Sequence, residues 1–393
     1  MNIPGLVVSD ATDEGLNDMV EKHPEVKEFQ LGSKYTFFCH SAGSYSGLQN
    51  VLSLPNLTSI EIKRKMKPMP VQLLTLQSTY LTTLGLYNMN IPETSILSLL
   101  DSCTSNLRVI NFPLNKNITD LVLLKIFKKF CNSLKTLDLS RTKVTGDTLS
   151  EITETLPKIT ELTFCACYEL TDTGLLNLVR LGGMTLVIMN IVDARMITGE
   201  KLMEYEGTLP CLETFHFYGN GGLTDKGLQE IIRICGDNLK ELDISETNVT
   251  GEHIEHHNRS LPVVESIKCH EAHKLTDNGL LHLLRLCGDN LRILDLTETQ
   301  ITGERLSEFS RILPVESLLC NKCSNLSDRG LVQLLQLSGS TLKYLDISET
   351  NISGDLLYAY NGVLPCLLAL NCEENRNLTG YAEASTPVWW EHT

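Results

Sequence analysis

The residues of this chain that could do chemistry are its cysteines and a set of histidines, aspartates and serines that recur at regular intervals. Cys320-x-x-Cys323 and Cys165-x-Cys167 have the spacing of zinc half-sites. Ser, His and Asp share several segments, but a nucleophile needs a base within hydrogen-bond reach and a third group to orient that base. No stretch supplies that order. No P-loop, G-x-G-x-x-G, H-E-x-x-H or G-x-S-x-G segment is present. The expectation is a protein that is not an enzyme, with no catalytic residue, no cofactor and no metal.

The reason these residues recur is a repeat. Leu239–Gly251 reads L-K-E-L-D-I-S-E-T-N-V-T-G, and close copies start at Leu134, Leu291 and Leu342. With Leu186, the starts lie about 52 residues apart, a period that decides the architecture. Finer landmarks at Leu57, Leu81, Leu107, Leu134, Ile159, Leu186, Leu212, Leu239, Val264, Leu291, Val315, Leu342 and Leu367 show two alternating repeat types of about 25 and 27 residues. In the short type, Leu242 and Ile244 alternate with Glu241 and Asp243, the period of a half-buried strand. Thr247 follows at the turn, where its hydroxyl is expected to bond the neighbouring repeat's free backbone. In the long type, Thr276 and Asp277 cap a helix whose apolar face is Leu280, Leu283, Leu284 and Cys287. Strand, turn, helix and strand again predict an α/β fold with a parallel sheet inside and helices outside.

Register then explains the cysteines. Cys269, Cys320 and Cys372 fall at the last apolar strand position, where Phe164 and Phe217 also stand. Cys131, Cys235 and Cys287 recur at helix ends, and Cys323 and Cys167 belong to the turns. All of these read as packing thiols.

The residues between apolar strand positions point outward. One outward column runs Asp138, Thr163, Asn190, His216, Asp243, Lys268, Asp295, and a second includes Ser140, Tyr218, Ser245 and His270. Aspartates two strands apart stand about 10 Å from one another, too far for a carboxylate acid/base pair. His216, Tyr218 and His270 are expected to cluster near the middle of this face with Lys268 beside them. Together with Asp243 and Asp295 they form the candidate partner-binding surface, since Tyr-type anchors carry a large share of recognition energy. Glu246, Glu298 and Glu349, with Arg141 as the odd member, predict an acidic rim after the strands.

Composition narrows the partner. The chain has 393 residues, 42% hydrophobic, and a formal net charge of −15. That charge argues against nucleic acid and against anionic membranes, and favours a basic or amphipathic protein. Met1–Asp10 lacks the pattern of a secretory signal, and no apolar run approaches a membrane span. An odd count of 13 cysteines fits a reducing compartment, so the expected location is cytoplasmic or nuclear. Seven N-x-S/T sequons, several at the same turn, then read as repeat grammar. Residues 1–56 are expected to form an irregular N-terminal cap with one or two degenerate repeats. Residues 57–380 form an array of about 13 repeats, and 381–393 a C-terminal cap or tail. That tail holds the only tryptophans, Trp389 and Trp390, either a cover for the last repeat or a partner anchor.

The long repeats Leu162–Leu175 (L-T-F-C-A-C-Y-E-L-T-D-T-G-L) and Leu318–Leu331 (L-L-C-N-K-C-S-N-L-S-D-R-G-L) carry a family likeness. The pattern resembles the cysteine-containing, ribonuclease-inhibitor-like subclass of leucine-rich repeats, as found in F-box leucine-rich repeat proteins. That subclass has Cys or Asn where Cys167, Asn220 and Cys323 stand, whereas the short repeats here place Thr142, Thr247, Thr299 and Thr350 there. The resemblance implies a right-handed horseshoe solenoid with strands on a concave face and helices on a convex face. It also implies a recognition role, including substrate recognition in a ubiquitin ligase. No helical segment with the Leu-Pro start of an F-box is visible in residues 1–56. A structural subunit of a larger assembly is a further alternative.

Overall fold

The computed structural model describes residues 5–8, 13–32, 45–63, 74–254, 260–356, 360 and 364–378. The chain forms two compact units, Met1–Ala194 and Arg195–Thr393. In the first, strands β1 (Gly5–Val8), β2 (Glu28–Leu31), β3 (Ser59–Lys63), β4 (Thr83–Tyr87), β5 (Val109–Asn111), β6 (Thr136–Asp138), β7 (Glu161–Thr163) and β8 (Ile188–Asn190) pair in chain order, all parallel. In the second, β9 (Thr214–His216), β10 (Glu241–Asp243), β11 (Ser266–Lys268), β12 (Ile293–Asp295), β13 (Ser317–Leu319), β14 (Tyr344–Asp346) and β15 (Ala369–Asn371) do the same. Each unit is therefore an α/β solenoid of leucine-rich-repeat type, in which neighbours in sequence are neighbours in the sheet.

From β3 onward every strand begins two residues after its landmark apolar residue. The landmark side chain ends the return limb and is buried, as at Leu239, Val264, Leu291 and Leu342, each 0% exposed. The segment ahead of Leu57 contributes β1 and β2 to the sheet, with helices Asp13–Lys22 and Tyr45–Leu52 between them and β3.

The two repeat types return differently. Long repeats carry α-helices, of which Asp225–Cys235, Asp277–Leu286 and Asp328–Ser338 belong to the second unit. In the short repeats from Leu134 onward, the return carries a five-residue 3-10 turn such as Glu304–Glu308. A 3-10 segment rises about 2.0 Å per residue against about 1.5 Å for an α-helix. Fewer residues thus span the same return, and one leucine, Leu306, is enough to reach the core.

Consecutive repeats are clasped at the helix start. Thr276 caps its helix by accepting from the Gly279 amide at 3.0 Å. The next residue, Asp277, reaches forward instead, accepting from the Thr302 and Gly303 amides at 2.9 and 3.0 Å and from the Thr302 hydroxyl. Asp225 holds Thr250 and Gly251 in the same way at 2.7 and 2.9 Å, and Asp328 holds Gly354 at 2.8 Å. The clasped turn needs glycine because Gly251 has φ +78°. Its counterpart Gly279 needs glycine for lack of room: a Cβ there would lie 2.0 Å from the Thr250 carbonyl oxygen and 2.8 Å from the Gly251 Cα.

The turn threonines behave otherwise than expected. The Thr247 hydroxyl donates to the Ile244 carbonyl of its own repeat at 2.7 Å, and Thr299 does likewise to Leu296 at 2.7 Å. The longer Cys and Asn side chains make the bond between repeats. Cys323 Sγ donates to the Leu296 carbonyl at 2.8 Å, and Asn375 to Ile347 at 2.8 Å. A threonine hydroxyl closes its own turn and meets the next repeat through a side chain, not its backbone: Thr299 Oγ1 lies 3.5 Å from Cys323 Sγ, and Thr350 donates to Asn375 Oδ1 at 3.1 Å.

Replacing Gly279 by Ala should cost about 3 kcal/mol, because the methyl meets backbone on the facing repeat. Gly221→Ala, whose Cβ would meet nothing nearer than 3.5 Å, should change stability by no more than about 0.5 kcal/mol. Urea unfolding of both variants checks the contrast.

The clasp also sets an acid dependence. Burial alone would raise the Asp225 carboxyl, but hydrogen bonds from Thr250, Gly251 and His253 outweigh it and hold the group below the ordinary carboxylate value. A depressed folded pKa stabilises fully above about pH 4, where the unfolded aspartate is ionised, and is lost as pH falls through the folded value. Asp225→Asn should therefore lose about 1–2 kcal/mol at neutral pH and show a flatter stability profile below about pH 4.

Candidate functional site

The outward face of the second unit is built on a backbone whose polar groups are already met. Beyond each strand the chain takes one residue in the left-handed region: Glu246 (φ 51°), Glu271 (53°), Glu298 (56°), Lys322 (57°), Glu349 (54°) and Glu374 (58°), with Gly219 at 75°. That conformation turns the amide toward the next repeat. Glu246 N donates to His270 O at 2.8 Å, Glu271 N to Thr297 O at 2.9 Å, and Glu298 N to Asn321 O at 2.9 Å. The parallel ladder thus continues past the strands, and acidic side chains emerge along its edge. Glu271 and Glu374 belong to long repeats. The acidic row is denser than the alternate-repeat rim expected from Glu246, Glu298 and Glu349.

The aspartate column has a local task. Asp243 Oδ1 accepts from the Ser245 amide at 3.0 Å, Asp295 Oδ1 from Thr297 at 2.9 Å, and Asp346 Oδ1 from Ser348 at 2.9 Å. Each closes an Asx-type turn that ends the strand and leaves its second oxygen for other partners. Ser245, expected to face outward, is only 3% exposed, because the turn folds over it.

Register brings four of the six expected site residues into one row. His216 lies opposite Asp243, Asp243 opposite Lys268, and Lys268 opposite Asp295. Tyr218 and His270 instead turn to the acidic edge. The Tyr218 hydroxyl donates to Glu246, and His270 Nε2 lies 3.1 Å from Glu271 Oε1. The expected single cluster is thus a charged row with two edge pairs. Trp389 and Trp390 lie outside the described residues.

Glu241 is the residue that sequence reasoning did not assign to the site. It stands two positions before Asp243 on the same face, accepts from Lys268 Nζ at 2.8 Å, and lies 3.7 Å from His216 Nδ1. Burial works against the Lys268 charge, but the hydrogen bond and attraction of Glu241, helped by Asp243 and Asp295, outweigh it and raise its pKa. The signal was available in the L-x-x-L-D grammar, whose second variable position shares the face of the aspartate. The same position places exposed apolar side chains on the face at Ile293 (37% exposed) and Tyr344 (49%).

The thiols have structural partners. Burial pushes Cys269 well above the usual thiol value and Cys287 up to about 12. Cys320 is raised by the hydrogen bond with Cys323 and by its own burial, while Cys323 faces the Leu296 carbonyl.

No protein-family model matches the chain. A Caenorhabditis elegans protein named "Putative RNA-binding protein EEED8.10" is 24% identical over 232 residues, covering 56% of this chain. The chain spans only 31% of that relative's length. Among solved structures, the crystal structure of the Rad7 and Elc1 complex in yeast contains a similar chain at 12% identity and TM-score 0.45, over 78% of this chain and 69% of that one. Among the described residues, no helix is long and apolar enough to cross a membrane.

The Tyr218 phenol is pushed up to about 12, first by its hydrogen bond to Glu246 and then by slight burial and the surrounding carboxylates. NMR titration of 13C-tyrosine-labelled protein should show the Tyr218 resonance ionising near that value, as the half-buried Tyr87 also should. In Glu246→Gln the Tyr218 resonance should move down toward the ordinary value of about 10.

Proposed function

We propose that the protein is a non-catalytic recognition scaffold that binds a protein partner of basic or amphipathic character on the outward sheet face of its second unit. The observation that carries this reading is the row His216, Asp243, Lys268 and Asp295, flanked by Tyr218 and His270. Varied side chains stand here on a backbone whose own hydrogen bonds are satisfied. Such a surface is preorganised, and little ordering entropy is lost when a partner binds. The acidic edge supports a cationic partner through steering. Cys and Asn side chains bonding between repeats support placement in the cysteine-containing leucine-rich-repeat subclass. Buried free thiols fit the cytoplasm or nucleus.

Two alternatives have distinct support. The likeness of the repeats to those of F-box relatives supports substrate recognition in a ubiquitin ligase, and co-purification with Skp1- or cullin-type proteins would favour it. The name of the C. elegans relative makes RNA the other alternative. The carboxylates along this face oppose a phosphate backbone.

Partner capture followed by substitution tests the reading. His216→Ala, Tyr218→Ala and His270→Ala together should weaken binding of the captured protein about tenfold or more while leaving the thermal midpoint nearly unchanged. Full affinity in the triple variant, or binding lost only when the tail with Trp389 and Trp390 is removed, overturns the assignment to this face. Tight binding of single-stranded RNA that the substitutions do not alter would move the function to RNA.

A further inference from the structure

We propose that His216, Glu241 and Asp243 form a site for one divalent transition-metal ion of the zinc class, and that Lys268 is the cation that holds the site when no metal is bound. This stands whether or not a partner docks on the same face.

The backbone brings the three ligands together. His216 ends β9 in register with Asp243 at the end of β10, and Glu241 begins β10 on the same face. One ligand atom from each residue lies within 4.8 Å of the other two. Zinc–ligand bonds of about 2.0–2.2 Å place neighbouring ligand atoms roughly 3.3 Å apart, so small side-chain rotations close the gap. All three side chains are half-buried and rise from paired strands, which limits the motion that binding must freeze out. Asp243 is further oriented from behind: the Ser245 amide at 3.0 Å holds one carboxylate oxygen and leaves the other for a metal. Outer contacts of that kind orient the ligands of metal sites.

The charge is matched as well. Two carboxylates and a neutral imidazole carry two negative charges, and a cation is already drawn there, with Lys268 Nζ 2.8 Å from Glu241. Lys268 has somewhere to go. It lies in register between Asp243 and Asp295, so an ammonium displaced from Glu241 can pair with Asp295 by rotating its side chain. Metal uptake is then an exchange of one cation for another, with the lysine moving one strand along. The imidazole favours zinc-type ions over magnesium and calcium, which prefer oxygen-only sites.

The test uses the full chain with the thiols that are exposed among the described residues removed as Cys211→Ser and Cys366→Ser. Zinc is titrated by calorimetry in excess magnesium, and cobalt by visible absorption. The expected result is one ion per chain, with cobalt d–d bands and no thiolate charge-transfer band. His216→Ala and Asp243→Asn should each weaken binding about tenfold or more. Lys268→Met should tighten it, because the competing cation is gone. Thermal unfolding of each variant, with Glu241→Gln as an independent ligand substitution, separates lost ligation from misfolding. Absence of uptake by the parent chain, uptake unchanged in His216→Ala, or a thiolate-dominated cobalt spectrum overturns the site. Weaker binding in Lys268→Met overturns the exchange. Because the readout is the metal alone, these failures leave the partner-binding proposal untouched.

Discussion

The contact on which the repeat depends is the clasp between one helix start and the next T-G or S-G turn. A single carboxylate, such as Asp277, satisfies two amides and a hydroxyl of the following repeat. It also sits at the positive end of its own helix, where a negative charge is favoured. The geometry admits no side chain on either partner, since the Gly251 and Gly279 backbones are in van der Waals contact. Such a clasp needs a helix on one side and a turn without a helix on the other. From Asp120 onward the repeats therefore alternate, and the sequence period there is a pair of repeats. Ahead of it, Glu93–Ser102 and Asp120–Phe130 are α-helices of consecutive repeats, joined by Glu93 accepting from the Thr119 amide at 2.9 Å. The 3-10 return of the short repeat is the counterpart of the close approach, because it removes the bulk a second helix would bring.

With the core and the clasp on the return limb, the strand ends are left to shape the outward face. Each left-handed residue other than glycine costs about 1–2 kcal/mol. The amide bond it makes to the next repeat contributes about 1 kcal/mol. One such turn taken alone is close to neutral. It persists because the preceding Asx turn and the following strand both fix its neighbours. The consequence is a row of mostly acidic side chains at the spacing of the strands, about 4.8 Å, interrupted by Lys322, which pairs with Glu298. That spacing is shorter than the screening length of about 8 Å at physiological salt, so the row acts as one field and not as separate charges.

How much of this was legible in the sequence follows from which interactions are local. The strand positions, the helix cap at Thr276 and the buried thiols all follow from period and from near-neighbour chemistry. Each strand from β3 onward lies two residues from its landmark for that reason. The Thr247 bond was misplaced because reach between strands is a distance, which a residue type does not reveal. The 3-10 returns were missed because Glu304–Glu308 has helix-forming residues, and only the closeness of the neighbouring helix shortens it. Of the site, the row His216, Asp243, Lys268 and Asp295 was legible as a register prediction. The turning of Tyr218 and His270 to the acidic edge was not, since it depends on side-chain choice among several carboxylates.

Glu241 shows why the exceptions in a repeat carry more meaning than its rule. In the ordinary short repeat the aspartate closes its own turn, and the residue two positions earlier is neutral, as Thr136, Ile293 and Tyr344 are. At β10 that position is a carboxylate, and both adjacent strands answer it, with His216 on one side and Lys268 on the other. Three neighbouring repeats thus carry a carboxylate, an imidazole and an ammonium at outward positions where their counterpart repeats have neutral residues. Exposed ion pairs of this kind add little to stability, about 0–1 kcal/mol each. The core and the clasp already hold the strands, so fold stability gives no account of why these three positions depart together. The binding role proposed for this face would, because an outward polar group on a rigid sheet gains its value from what approaches it.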